Sequence, residues 1–361
     1  MGTELDFLDV GRQHFQDFNR FKAHIEEKVT LSSLDGKLSV VGSISNYNSK
    51  DDFTNSLSER FEVVREQGNL LLLKSKTRDV SCYVHINDGC PLFFTTGTKT
   101  KDIPKTIGEQ IKRDPQLSRM WVGKRRMEEI RQEIANDDDV LIPYFTAHYS
   151  PSSDVKNVTR KGVERTIQYY GNDGKQTFKE MKEQYGVFPT NVQFKKPGSF
   201  KFRITQDGVF TLNSGSATPV ISALQDTVEQ LREVKDAVNS SSYETVESGL
   251  GRDHSVPVSN PWKIELTKPL TSSHLEYFQD SIESDNWDFG VSRYDDGAKS
   301  GETWLSAEVV DKVNYGRIGI RTKSPKTIRI YPREMTGFGP SMRLFSFVSN
   351  HLDQYSQADK V

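Results

Sequence analysis

Between Phe200 and Val238 the hydrophobic and polar positions follow one period and then another, and the switch predicts a hairpin followed by a helix. Phe200, Phe202 and Ile204 alternate with Lys201, Arg203 and Thr205, the rhythm of a strand with one buried and one wet face. Asp207-Gly208 supplies the turn, because Gly tolerates positive φ and Asp bonds its own backbone, and Val209 to Asn213 returns as a second strand. Ser216 or Thr218 then caps a helix with Pro219 in its first turn. Val220, Ala223, Leu224, Thr227, Val228, Leu231, Val234 and Val238 recur at three- and four-residue steps and form its inner stripe. A hairpin with a covering helix implies a sheet with one face under helices and the other open.

The same reading extends along the chain. Phe7 to Ile25 predicts a helix with an aromatic stripe packed on a sheet, and Lys28 to Ser33 and Lys37 to Ser45 a hairpin turning at Leu34-Asp35-Gly36. A helix over Asp51 to Phe61 leads to strands near Phe61 to Glu66, Asn69 to Lys74, Val80 to Ile86 and Leu92 to Thr95, and Ile103 to Ile111 returns to helix. Asp114-Pro115 reads as a cap and first turn for a helix over Gln116 to Ile134, which places Lys124, Arg125, Arg126 and Arg131 mostly outside, paired with Glu128, Glu129 and Glu133. Two helices joined by a short turn here also fit a helix-turn-helix spacing.

Val163 to Tyr170 predicts a strand, Gln176 to Tyr185 a helix and Val187 to Phe194 an extended segment leading into the hairpin. The Ser-, Gly- and Pro-bearing run after Val238 reads as a linker. Beyond it Trp262 to Thr267 is a strand, Ser272 to Ile282 a helix, and four strands follow over Trp287 to Arg293, Thr303 to Val310, Gly316 to Arg321 and Thr327 to Tyr331, before a helix over Pro340 to Leu352. The expected organisation is an N-terminal α+β unit with a helical extension (1–140), a middle α+β unit (141–245), a linker (246–260) and a C-terminal α+β unit (261–361). The segments beginning near Lys37, Val163 and Trp262 read as an internal repeat of strand, helix, meander and helix.

Phe200 to Val238, and more loosely Trp287 to Leu352, resembles half of a TATA-binding-protein-like fold, with an antiparallel meander and a long helix on the convex face. The resemblance implies a curved sheet whose open face grips a ligand, nucleic acid in the best-known members. It is one of topology: the family's signature strand residues and paired kinking phenylalanines have no match here, and no residue role is carried over.

Composition narrows the field. A formal charge of -2 over 361 residues argues against a chain coated in basic residues and leaves room for a local basic face. Two cysteines, Cys82 and Cys90, are too few for a disulfide scaffold or a four-Cys zinc site, and a reduced, intracellular setting is expected, cytoplasm or nucleoid or nucleus. The N-terminal residues lack the pattern of a signal peptide and no apolar run reaches the length of a membrane span, so a soluble protein without a membrane partner is expected.

The seven histidines never pair with another His or Cys at ligand spacing, and the phosphate-loop, dinucleotide and nucleophile-elbow motifs are absent from the sequence. Asp288, Glu308 and Lys312 miss the spacing of a metal nuclease. No cofactor and no metal are expected.

Alternation names the outward residues directly. In the middle unit these are Asn191, Gln193, Lys195, Lys201, Arg203 and Thr211. In the last unit they are Arg317, Arg321, Arg329 and Tyr331, with Lys323, Lys326 and Arg333 at the strand ends. Between Asp311 and Arg343 eight Lys and Arg stand against Asp311 and Glu334 alone. Cations, amides and a few aromatics on a sheet are the groups that contact phosphates and base edges. The expectation is an α+β protein of repeated antiparallel sheets backed by helices, TATA-binding-protein-like, that binds nucleic acid without catalysis, DNA ahead of RNA. A protein-interaction or self-assembly face, with a protein partner or a homo-oligomer, is the alternative, and a metal-dependent nuclease the second.

Overall fold

The computed structural model describes residues 15, 17–31, 38–87, 89–150, 158–247, 255–284, 287–299 and 302–361. The chain divides into two compact units, the first ending at Val228 and the second running from Glu229 to Val361.

The first unit opens with α1 (Phe18–Leu31), β1 (Leu38–Ser45) and α2 (Lys50–Leu57), then a meander of β2 (Phe61–Gln67), β3 (Leu70–Ser75), β4 (Ser81–Asn87) and β5 (Cys90–Thr95). Next come α3 (Asp102–Lys105), α4 (Ile107–Arg113), β6 (Leu117–Arg119), α5 (Lys124–Ala135), β7 (Leu141–Tyr149) and β8 (Arg165–Tyr170). The hairpin region is reached through α6 (Gly174–Tyr185) and β9 (Phe188–Lys196), and consists of β10 (Phe200–Thr205), β11 (Val209–Gly215) and α7 (Thr218–Asn239), within which the division falls. Among the described residues these strands make one sheet in the order β2-β3-β4-β5-β1-β11-β10-β9-β7-β8, with β6 added to β1. β1 joins its two halves, and all eight of its residues are buried.

The second unit has β12 (Ser242–Glu247), β13 (Ser255–Asn260), β14 (Trp262–Glu265), α8 (Ser272–Ile282), β15 (Phe289–Lys299), β16 (Glu302–Asp311), β17 (Arg317–Ser324), β18 (Thr327–Pro332), α9 (Phe338–His351) and β19 (Gln357–Lys360). Its main sheet runs β15-β16-β17-β18-β14-β19, and β12 pairs with β13. Strand, helix, four-strand meander recurs as β1, α2, β2 to β5 and as β14, α8, β15 to β18, and in both the first strand returns beside the last, β5-β1 and β18-β14. The segment between them carries a shorter variant, β8, α6, β9 to β11, α7.

The first sheet is covered differently on its two faces. One face buries Val40, Phe94, Val192, Phe194, Phe202, Ile204, Phe210 and Leu212. α1, α5 and α6 pack against it; Phe21 meets Tyr83 with ring centroids 4.7 Å apart, and Phe178 of α6 meets Phe145 at 5.3 Å. On the opposite face Val41, Leu71, Leu73, Val84 and Phe93 form a core with Phe53 and Leu57 of α2, Ile103 of α3, and Ile107 and Ile111 of α4. Across β1, β3 and β5 both faces are therefore largely closed, while the edge strand β2 stays largely exposed.

Local sequence explains where several elements start and stop. Ser49 caps α2 by accepting from the Asp52 N–H at 3.0 Å, and Thr271 with His274 closes a capping box at α8. Gly208 takes φ +71, and its ideal Cβ would stand 2.0 Å from the Met120 carbonyl oxygen, so the expected Asp207-Gly208 turn needs glycine for two reasons. α7 buries Val220, Ala223, Leu224, Thr227, Val228, Leu231, Val234 and Val238, the stripe read from spacing.

Other segments differ from expectation. The strand expected at Lys28 to Ser33 is helical to Leu31, the rest of that hairpin's first arm and its turn lie outside the described residues, and so does Phe7 to His14 of the first helix. The helix expected from Gln116 begins only at Lys124, because Leu117–Arg119 extends to pair with Ser43, Ile44 and Ser45. A strand thus separates α4 from α5, and the helix-turn-helix spacing is not realised. The boundary expected after residue 140 falls inside the first sheet, since pairing of β1 with β11 overrides the local break at Asn136 to Asp139. In the segment expected as linker, β12 and β13 pair from Ser242↔Asn260 to Glu247↔Ser255, where alternating Thr, Val and Ser favour strand over coil.

Candidate functional site

The face that is apolar under α2 to α4 turns polar across β11, β10, β9, β7 and β8, buried at Ser39, Thr211, Thr205 and Tyr144 and exposed toward Gln168 and Tyr170 on the edge strand. Direct cross-strand neighbours trace one row over it: Tyr170, Tyr144, Gln193, Arg203, Thr211 and Ser39. A second row runs Gln168, Thr146, Asn191 and Thr205 before turning apolar at Val209 and Val41. A third brings Lys195 opposite Lys201. Alternation along β10 produces this directly, since Phe202 and Ile204 anchor the covered side and leave Lys201 and Arg203 on the other.

Hydrogen bonds and ring contacts hold the rows in place. The Arg203 guanidinium lies over the Tyr144 ring, 4.4 Å from its centroid, and Nε donates to Asn191 Oδ1 at 2.6 Å. Gln168 Nε2 donates at 3.0 Å to both the Tyr144 and Tyr170 hydroxyls, whose rings stand 4.8 Å apart. Burial acts to raise the Tyr144 hydroxyl pKa, but hydrogen bonds from Thr146 and Gln168 and the Arg203 charge outweigh it and hold the group below its ordinary value. Tyr144 is buried; Tyr170, on the edge strand, is 71% exposed.

At the inner end of the strip Lys99, from the loop after β5, reaches across to donate to Thr205 Oγ1 at 2.9 Å. Asp207 lies 3.6 Å from Lys99 Nζ and 3.9 Å from an Arg119 nitrogen. Burial, with the charges of Arg203 and Arg119, pushes the Lys99 ammonium below its ordinary range against the pull of Asp207. Lys99 and Arg119 thus flank the Asp207 carboxylate, with the Arg203 charge close enough to act on Lys99.

The remaining sequence-derived residues lie on the other sheet. One lateral row there is Asp359, Lys263, Arg329, Arg321, Ser306 and Asp295, and another is Tyr331, Gly319, Glu308 and Arg293. Ile318, Ile320, Ile328 and Ile330 are buried behind them, as alternation requires. Arg321 stands 5.8 Å from the Tyr331 ring centroid, and Arg317 approaches Glu308 at 4.0 Å. Lys323 and Lys326 are exposed at the β17–β18 turn, and Arg333 passes over Gly319.

The basic excess counted along Asp311 to Arg343 is diluted in space. Glu308, Asp295, Glu265 and Asp359 arrive from neighbouring strands, with Lys263 held by Glu265 at 3.0 Å and Asp359 at 3.1 Å. Arg343 faces inward instead, bound at 2.5 Å to the fully buried Asp311.

The α5 charges differ from the expected outer face as well. Lys124 and Arg126 are buried, Arg126 among Glu129, Glu133 and Asp226, while Glu128 binds Arg131 at 2.7 Å and Lys182 at 2.6 Å. Cys82 and Cys90 are free and buried. Among the described residues no group of three or more His, Cys, Asp or Glu is placed to hold a metal ion, and no helix is long and apolar enough to cross a membrane.

Sequence reasoning named Lys195, Lys201, Arg203, Asn191, Gln193 and Thr211 on the polar strip and missed Tyr144, Gln168, Tyr170, Lys99, Arg119 and Asp207 as members. Alternation about Phe145 in β7 carried a signal for Tyr144 and Thr146. Lys99 and Arg119 carried none, because they arrive from a loop and a short strand far away in sequence.

Two comparisons bear on the chain. Residues 125–207 match a family model described as a middle domain, a segment holding β7 to β10 and hence most of the strip. A protein of Archaeoglobus fulgidus, described as uncharacterized, is 26% identical over 353 residues, covering 94% of this chain and 95% of its own length.

Proposed function

We propose that the protein binds nucleic acid without catalysis, DNA ahead of RNA, and that the polar strip of the first sheet is the principal contact surface. The observation carrying this reading is the Arg203-Tyr144-Asn191 arrangement within a field of Gln168, Gln193, Lys195 and Lys201, bordered by Lys99 and Arg119. Lysines and arginines at the margins meet phosphates, and amides and hydroxyls between them match the edges of bases. The repeated strand, helix, four-strand order supports the likeness to TATA-binding-protein-like folds, and with it a grip through a sheet face. Arg317, Arg321, Arg329 and Tyr331 would add a weaker, charge-compensated surface on the second sheet. Fluorescence anisotropy of labelled DNA at two salt concentrations tests the proposal: affinity falling steeply with salt is expected, and no binding at low salt sinks it.

A further inference from the structure

Resting on that reading, we infer that the strip takes an unpaired polynucleotide strand rather than a duplex, with a base stacked on Tyr170 and phosphates at Lys99 and Arg119.

Three features point this way. The first is Tyr170, a residue 71% exposed on an otherwise polar face, while Gln168 ties its hydroxyl to that of Tyr144. An oriented, solvent-facing ring offers a stacking surface, and only an unpaired base presents its flat side; in a duplex the base faces are hidden and the edges alone are on offer. Tyr144 itself is closed between the Tyr170 ring and the Arg203 guanidinium, so it positions those two groups instead of meeting a base.

The second feature is width. The polar strip spans the five strands β8, β7, β9, β10 and β11, about 19 Å at the usual strand spacing, and its exposed part narrows toward the inner end, where Thr205 and Thr211 are buried. On its inner side α2 to α4 rise from the same face, and helices about 10 Å thick wall off any broader ligand there. A single strand laid across the β-strands fits such a strip lengthwise, as on other sheet platforms where two or three bases are stacked in succession.

The third is the separation of chemistry along the row. Tyr170 and Gln168 occupy the outer edge, the amides of Gln193 and Asn191 the centre, and Arg203, Lys99 and Arg119 the inner end. Tyr170 and Arg203 stand three strand spacings apart, about 14 Å, which leaves room for a short run of nucleotides with bases outward and backbone toward the wall. Whether the strand is DNA or RNA is a matter of the 2′-hydroxyl, and the test separates the two.

The full-length protein is titrated by anisotropy at low salt against a labelled oligo(dT), an oligo(U) and a duplex of the same length. Either single strand binding more tightly than the duplex supports the inference, and the tighter of the two names the source. Tyr170→Ala should weaken single-strand binding about tenfold or more, and Tyr170→Phe should restore it. Duplex bound as tightly as single strand, or Tyr170→Ala without effect on the single strand, overturns the inference while leaving nucleic-acid binding standing. Binding of none of the three removes both. Tyr170 is exposed at the sheet edge, so its truncation leaves the core intact.

Discussion

Arg203 rests its guanidinium on the ring of Tyr144, 4.4 Å from the centroid, and the two side chains come from β10 and β7 with β9 between them. The contact fixes the plane of the arginine before any ligand arrives, lowering the ordering cost of each hydrogen bond it then makes. Arg203→Lys keeps the charge and loses the plane. It should weaken single-strand binding severalfold with little change in salt dependence, whereas Arg203→Ala should weaken it further and lower the slope of log affinity against log salt by about 0.7. Anisotropy over a salt series reads both.

Lys99→Ala combined with Lys201→Ala should cost more affinity than Arg321→Ala combined with Arg329→Ala. The first pair borders a strip whose nearby carboxylate is Asp207, while the second shares its lateral row with Asp295 and Asp359. Equal losses in parallel titrations would place the two sheets on the same footing.

Gly208→Ala should destabilise the first unit by roughly 2 kcal/mol or more, since φ +71 and a 2.0 Å approach to Met120 both disfavour a Cβ there. Urea unfolding should show a lower midpoint, and because the turn carries Asp207, the affinity should fall in the refolded variant as well.

Burial pushes the Lys124 ammonium down to about 8, with Glu164 pulling the other way. Between that value and the unfolded lysine value of about 10.4 the unfolded chain binds a proton the folded one lacks, so stability rises with pH across this window and the full penalty applies below it. Lys124→Met should therefore stabilise the protein at pH 7, on the order of 1–3 kcal/mol, and abolish that rise. His148 is held low by burial and by the Lys124 charge, against Glu164, so the same variant should lift its titration toward the ordinary histidine value in an NMR pH series.

Arg343→Ala removes the charged partner of the fully buried Asp311, which also accepts from the Val313 and Asn314 N–H groups. A loss of about 3 kcal/mol in the second unit is expected from calorimetry, with nucleic-acid affinity of the folded fraction unchanged.

What was legible in the sequence is what depends on neighbours along the chain. The β10–β11 hairpin, its glycine turn, the stripe of α7 and the outward side of Lys201 and Arg203 all follow from period and turn chemistry. Lateral partners do not. Tyr144 and Tyr170 join Arg203 through strand pairings that span tens of residues, and Lys99 arrives from the far half of the sheet. Leu117–Arg119 reads as helix until the edge of β1 is seen to need a partner. The same blindness inflated the charge of the last unit, because Glu265 and Asp359 lie far from Arg329 in sequence and adjacent to Lys263, its cross-strand neighbour, in space.

β1 makes the polar strip a product of the whole first unit. Leu38 to Val41 pair with Leu212 to Val209, so during synthesis the floor beneath Arg203 stays incomplete until the ribosome has passed β11. The segment 125–207 ends just before that strand. Produced alone, it would expose the β10 edge as an unpaired row of N–H and C=O groups and should self-associate. The smallest piece that carries the strip in working order is the one that also carries Leu38.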